Sequence, residues 1–220
     1  MKKNLTELVF ILDRSGSMSG LERDTIGGFN SMLAKQKKED GEAVVTTVLF
    51  DGEISLLHDR ADIDGVSPLT EEDYQVGGCT ALLDALGRTI CKVSRSREHI
   101  LPEYRPGKTL FVIITDGEEN ASREYSPKRV KSLVEQQKEA GWEFVFLGAN
   151  IDAITAAAQV GIDASRAVNY HSDARGTRAN FVVVNELVGK FRAAQPCEAS
   201  SVLDDAGWRA DIDSDYRRRK

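Results

Sequence analysis

The chain has 220 residues, 41% of them hydrophobic and 29% charged, and carries a formal net charge of −6. This is the balance of an ordinary water-soluble globular protein long enough to bury a substantial core. The negative charge argues against generic attraction to nucleic acid or to an anionic membrane, and no run approaches the roughly 20 apolar residues of a membrane span. Met1-Lys2-Lys3 imitates the start of an export signal, but Glu7 interrupts the apolar stretch, Asp13 ends it and no small-residue cleavage site follows, so no signal is read. Cys79, Cys91 and Cys197 are odd in number and lack metal-ligand spacing, as expected of reduced thiols in the cytoplasm.

Strand-like and helix-like segments alternate along the chain, the pattern of an α/β fold with a mostly parallel sheet. The first strand is expected over about Thr6 to Leu12. A helix follows from about Leu21 to Lys38, with Ile26, Phe29, Met32 and Leu33 on its inner stripe. Gly27-Gly28 inside it costs roughly 1 kcal/mol per Gly relative to Ala, which suggests close packing there; Gly41 would stop the helix. Ala43 to Phe50 and Ile54 to His58 flank Asp51-Gly52-Glu53, a hairpin signal, so the second of these becomes an antiparallel edge strand. Asp59 to Gly78 is polar and irregular, with one helical turn near Thr70 to Tyr74. The next helix runs from Ala81 to about Ser94, its apolar face formed by Leu82, Leu83, Leu86, Ile90 and Val93.

The second half repeats the alternation. Thr109 to Thr115 is a strand, and Ser126-Pro127 opens a helix as N-cap and first-turn proline, ending near Ala140-Gly141. A strand over Glu143 to Leu147 precedes a short helix, with Asn150 as the expected N-cap, that reaches about Val160. Ala167 to Tyr170 is the candidate last strand. The final helix spans about Arg178 to Ala194, with Phe181, Val184, Leu187, Val188 and Phe191 facing inward. The expected fold is therefore a doubly wound, mostly parallel central sheet of about six strands with one antiparallel edge strand and helices on both faces. It occupies residues 1–195. Residues 196–220, acidic and then basic at Arg217-Arg218-Arg219-Lys220, read as a loosely held, solvated tail.

The chemistry concentrates where two apolar strands stop. Leu8-Val9-Phe10-Ile11-Leu12 ends at Asp13-Arg14-Ser15-Gly16-Ser17, which sets one carboxylate and two hydroxyls at alternate positions. Leu110-Phe111-Val112-Ile113-Ile114 ends at Thr115-Asp116-Gly117. Carboxylate and hydroxyl oxygens are the donors a hard divalent cation such as Mg²⁺ takes. In an open parallel sheet ligands bind beyond the carboxyl ends of the strands, where strand order reverses, and right-handed crossovers place the Asp13 and Asp116 strands side by side at such a point. The hairpin carries the chain down and back up, so Gly77-Gly78-Cys79-Thr80 arrives at the same end with the Thr80 hydroxyl available. Each piece also has an ordinary role: turn formation for Asp13-x-Ser15-x-Ser17, N-capping for Thr80, a strand-ending turn for Asp116. Glu118, Glu119 and Asn120 read as a solvated loop, Asp51 as a hairpin residue, and His58, His99 and His171 as surface residues without cluster spacing.

Asp13-x-Ser15-x-Ser17, the threonine of Gly77-Gly78-Cys79-Thr80 and the aspartate of Thr115-Asp116-Gly117 resemble the metal-ion-dependent adhesion site (MIDAS) of von Willebrand factor type A (vWA) domains. The resemblance covers about Thr6 to Ala194 in element order. Gly77 to Ala85 and Phe146-Leu147-Gly148-Ala149-Asn150 further resemble bacterial and phage stand-alone proteins of this type. The resemblance implies that Ser15, Ser17 and Thr80 contact the metal through side-chain oxygens and that Asp13 and Asp116 reach it directly or through water. It also implies that a sixth position is left for water or for an acidic side chain of a partner protein. Relatives that change shape couple ligation to movement of the last helix, here Arg178 to Ala194.

Three functions of different class follow. The first is a cytoplasmic, non-enzymatic protein-interaction module that uses Mg²⁺, or Mn²⁺ or Ca²⁺, to capture a partner's acidic residue, with no nucleic acid or membrane involved. The second is a Mg²⁺-dependent phosphatase or phosphotransferase, since strand-end aspartates with Mg²⁺ also serve phosphoryl chemistry; Ser15 stands where Mg²⁺ phosphatases of the haloacid type carry a second aspartate, and no Walker-type or dinucleotide Gly-rich loop is present. The third is a scaffold in which the cation merely locks three loops.

Overall fold

Alternate residues along the first strand diverge to opposite sides, and this sets the architecture. Leu8, Phe10 and Leu12 enter one apolar cluster while Val9 and Ile11 enter another, as the two-residue period of a strand buried on both faces requires. The computed structural model describes residues 1–219. Its strands are β1 (Lys2–Asp13), β2 (Glu42–Phe50), β3 (Ile54–Asp62), β4 (Pro106–Thr115), β5 (Trp142–Ala149) and β6 (Ala167–Tyr170). They form one sheet in the order β3-β2-β1-β4-β5-β6, parallel throughout except for β3, which runs antiparallel to β2. The expected fold class is what the structure shows.

The helices α1 (Glu22–Gln36), α2 (Leu82–Glu98), α3 (Pro127–Glu139), α4 (Ala153–Gln159) and α5 (Ala174–Ala193) connect these strands. On one face α1 and α5 cover the sheet with Phe29, Met32, Phe181, Val184, Leu187 and Phe191. On the other, α2, α3 and α4 cover it with Leu86, Ile90, Val130, Val134 and Ala157. A methyl group on Gly28 would lie 2.3 Å from the Phe181 ring, so the glycine is what lets α1 approach α5. Ser126 and Pro127 open α3 as expected, the serine hydroxyl accepting from the Arg129 amide.

Three expectations are corrected. The N-cap of α4 is Asp152, whose carboxylate accepts from the Ile154 and Thr155 amides; Asn150 instead adopts a left-handed backbone with φ of 54°, which asparagine tolerates. His58 is buried, its Nε2 3.3 Å from Ser67 Oγ, and burial pushes its pKa down. Residues 196–219 are not a loose tail. They form α6 (Ser201–Asp204) and α7 (Ala210–Arg218), and bury Leu203, Trp208 and Ile212 in the α1/α5-side core. Trp208 Nε1 donates to the Ser165 carbonyl at 3.3 Å and Arg209 to the Ala167 carbonyl at 2.5 Å. Few apolar residues were enough because each is fully used. Of the terminal basic tetrad, Arg219 pairs with Asp173 and Asp215, and Lys220 lies outside the described residues.

The lower end of α5 is fixed by a buried cation. Lys108, on β4, donates through Nζ to the carbonyls of Phe191 (2.9 Å), Arg192 (2.5 Å) and Ala194 (2.6 Å). These are among the orphan carbonyls at a helix end. Arg192 in turn donates to the carbonyls of Gln36, the last residue of α1, and of Gly41 just beyond it. Because losing Lys108 leaves buried carbonyls unsatisfied, Lys108→Met is expected to lower the unfolding free energy by about 3 kcal/mol, measured by urea denaturation, with the denaturant slope unchanged.

Candidate metal centre

The pairing of β1 with β4, Leu12 opposite Ile114, brings the two strand ends side by side. Asp13 is buried there, and both of its oxygens are engaged: Oδ1 accepts from the Ser15 amide at 2.7 Å and Oδ2 from Thr115 Oγ1 at 2.5 Å. Its own carbonyl accepts from the Tyr74 hydroxyl. Burial is the largest influence on this carboxyl and pushes its pKa up, with the Asp116 charge adding to the effect and the hydrogen bonds from Thr115 and Ser15 opposing it.

The loop after Asp13 turns through a 3-10 segment, Gly16–Met18, which points both serine hydroxyls the same way. Ser15 Oγ and Ser17 Oγ are 3.0 Å apart. Ser17 Oγ donates to Asp116 Oδ1 at 2.5 Å, and the other oxygen of Asp116 accepts from Ser172 Oγ at 2.8 Å. The third loop is stapled into place by its backbone: the Gly77 amide donates to the Arg14 carbonyl at 2.9 Å and the Gly16 amide to the Gly78 carbonyl at 3.2 Å.

Thr80 does not cap the following helix. That position belongs to Ala81, which supplies no side-chain cap. The first turn of α2 is capped instead from the β4–α3 loop, Glu119 Oε2 accepting from the Leu83 amide at 2.8 Å and Ser122 Oγ from the Asp84 amide at 3.0 Å. Asp84 reciprocates by accepting from the amides of Arg123, Glu124 and Tyr125. The Thr80 amide donates to Asn120 Oδ1 at 2.9 Å, so its hydroxyl is spared for the crevice.

Gly117 locates the centre of the cluster. A methyl group built on it would sit 2.8 Å from Thr80 Oγ1, 3.1 Å from Ser17 Oγ and 3.6 Å from Ser15 Oγ. Three hydroxyl oxygens from two loops thus lie about one point on a third, beside the carboxylates of Asp13 and Asp116. All five donors are hard oxygens, the set suited to Mg²⁺, Mn²⁺ or Ca²⁺ rather than to a thiolate- or imidazole-seeking metal. Among the described residues no group of three or more carboxylate, imidazole or thiol side chains is placed to hold a metal; this cluster has only two carboxylates and depends on its hydroxyls.

Several residues that build the site are not evident from the sequence. Glu119 and Asn120, expected to be solvated, are structural partners of α2 and Thr80. Ser172, on the loop before α5, fixes Asp116. Asp51 keeps its hairpin role through the Glu53 amide and also ties the site together, its carbonyl accepting from the Ala81 amide and its carboxylate pairing with Arg14 at 3.2 Å. No local pattern signals these contacts, which join residues 30 to 60 positions apart.

The elevated Asp13 pKa has a sign that can be checked. A carboxyl whose pKa is higher in the folded than in the unfolded chain costs stability above its unfolded pKa of about 3.9, and the cost grows as pH rises through the folded value. In the presence of chelator, Asp13→Asn is therefore expected to gain stability relative to wild type between pH 4 and pH 7, measured by chemical denaturation at both.

No sequence family matches the chain, and no curated protein does. Solved structures do. Proximal thread matrix protein 1 from the mussel byssus, with a zinc-occupied MIDAS motif, aligns with a TM-score of 0.58 at 16% identity over 85% of this chain and 46% of its own. A von Willebrand factor type A protein from Catenulispora acidiphila aligns at 0.56 and 16% over 84% of this chain and 42% of its own. Manganese-loaded TRAP protein of Plasmodium vivax aligns at 0.54 and 17%, over 82% and 74%. The chain spans less than half the length of the first two. Among the described residues no helix is long and apolar enough to cross a membrane. The six-stranded, mostly parallel sheet with one antiparallel strand and flanking helices aligns with these neighbours over more than four fifths of the chain, and the chain has the von Willebrand factor type A fold.

Proposed function

We propose that this chain is a metal-dependent protein-interaction module. Asp13, Ser15, Ser17, Thr80 and Asp116 hold one Mg²⁺, and the coordination position left over accepts a carboxylate from an acidic residue of a partner protein. The observation that carries the reading is the convergence of three hydroxyls within 3.6 Å of one point between two buried strand-end carboxylates. The zinc-occupied MIDAS motif of one structural neighbour and the manganese of another support it. When bound, the cation supplies a Lewis-acidic centre to which a carboxylate binds.

The protein's own share of this task is charge balance and positioning. Two carboxylates would cancel the two positive charges of the ion, and neutral hydroxyl donors would leave its remaining field available to one incoming anion. Thr115 and the Ser15 amide orient Asp13, Ser172 and Ser17 orient Asp116, and the Asn120 carboxamide positions the Thr80 backbone. Both oxygens of Asp13 and both of Asp116 are already engaged by hydroxyls and an amide, which favours reading the role as binding rather than catalysis. The interaction unit lies within residues 1–195, and the free thiols of Cys79, Cys91 and Cys197 suit a cytoplasmic setting.

Isothermal titration with Mg²⁺, Mn²⁺ and Ca²⁺ tests the reading. Wild type is expected to bind one ion and to melt at higher temperature with it. The double variant Ser15→Ala/Ser17→Ala is expected to bind at least 10- to 100-fold more weakly, the loss typical of removing even a supporting residue at a metal site. Equal and negligible binding by both proteins would refute the site. Pull-down from the native host, with and without chelator, then identifies the partner.

A further inference from the structure

A cleft shares one residue, Gly117, with the hydroxyl cluster. Gly117, whose Cβ position lies among the three hydroxyls, also lines a cavity of about 320 Å³ between the first turn of α2 and α4. Leu82, Leu83, Ile151, Ala156 and Val160 supply the apolar part of its lining, and Thr155 and Gln159 add polar groups. Its size falls at the lower end of the range for small ligand sites and admits one large side chain with some backbone. The cleft lies at the same end of the sheet as the centre and adjoins it at Gly117, so one short segment can reach both.

The rim fixes the charge of what can enter. Glu119 is consumed by the amides of Leu83, Ala121 and Ser122, and Asp152 by the first turn of α4. Glu118 is exposed and has no hydrogen bond or ion pair among the described residues. Glu118 and Glu119 therefore border a floor that is apolar in large part, an arrangement that repels a second acidic residue and tolerates a neutral or basic one.

We infer that this cleft is the second anchor of the recognition site: the partner segment supplies one acidic residue to the metal centre and, within about three residues of it, a large apolar side chain such as Leu, Met or Phe to the cleft, with no further acid beside it. This rests on the function proposed above. The metal centre supplies affinity for a carboxylate of any origin. The cleft is what separates an isolated acid with an apolar neighbour from the acid-rich stretches common on protein surfaces.

The test uses the full chain with saturating Mg²⁺ and short synthetic peptides, followed by NMR titration so that weak binding is readable. One peptide carries a single Asp in a Gly/Ser background. A series places Leu, and then Glu, at each of the three positions on either side. Leu at one or more positions is expected to tighten binding about tenfold or more, as burial of a large apolar side chain should, whereas Glu at the same position weakens it. Ala156→Leu, which fills the floor, is expected to remove the gain from Leu while leaving Mg²⁺ affinity and the Gly-flanked peptide unchanged. If its melting curve shows disturbed folding, Gln159→Trp on the outer turn of α4 serves instead. Mg²⁺-dependent binding of the Gly-flanked peptide with no Leu position better by more than twofold would overturn the cleft alone. Absence of Mg²⁺-dependent binding by every peptide would overturn the metal centre and the cleft together.

Discussion

The structure depends on one adjacency, the parallel pairing of β1 with β4 where the winding of the sheet reverses. Strands buried on both faces must end somewhere, and at such a reversal the two successive crossovers leave in opposite directions, so nothing covers the gap between their ends. Here each of the two strands ends in an aspartate. Burying a carboxylate is unfavourable, and the elevated pKa of Asp13 expresses chiefly that cost, with a smaller contribution from the neighbouring Asp116. The fold tolerates it because hydroxyls and amides are arranged around both acids, and because a cation at the same place would reverse the sign of the interaction. Strain of this kind, sustained by an otherwise well-packed core, is characteristic of functional sites.

Around that adjacency the loops are held chiefly by backbone-directed contacts. The 117–125 loop and the first turn of α2 exchange caps: Glu119 and Ser122 serve the helix amides, and Asp84 serves the loop amides. Thr80 lies between them with its hydroxyl uncommitted to capping. Two buried tyrosines support the strand ends from below, Tyr74 donating to the Asp13 carbonyl and Tyr170 to that of Thr115 at 3.4 Å, and burial keeps both phenols protonated well above their ordinary range. Preorganisation of this sort lets three hydroxyls, weak donors individually, act as a set.

Much of this was legible in the sequence, and the reasons are specific. The continuous apolar runs of β1 and β4 marked doubly buried parallel strands, Asp51-Gly52 marked the antiparallel hairpin, and handedness alone then placed Asp13 beside Asp116. Local signals read well where a short-range hydrogen bond decides the outcome, as at Ser126-Pro127. They failed where a competing local partner was better placed, as when Asp152 rather than Asn150 capped α4. They failed again where the partner is distant: nothing near Glu119 announces that it caps a helix 36 positions earlier, and nothing near Ser172 announces Asp116. Residues 196–219 were misjudged for another reason. Average polarity said solvated, yet Leu203, Trp208 and Ile212 are each almost wholly enclosed, and burial responds to the placement of a few side chains rather than to a mean.

The clamp on the lower end of α5 has a mechanical consequence. The head of that helix is tethered through Ser172 to Asp116 and through Asp173 to Arg219, and its foot is gripped by the Lys108 ammonium across three carbonyls. A downward stroke of one helical turn, about 5.4 Å, would have to open both fastenings at once and strand a buried ammonium without acceptors. A rod bolted at both ends is held as a strut rather than left free to slide as a piston.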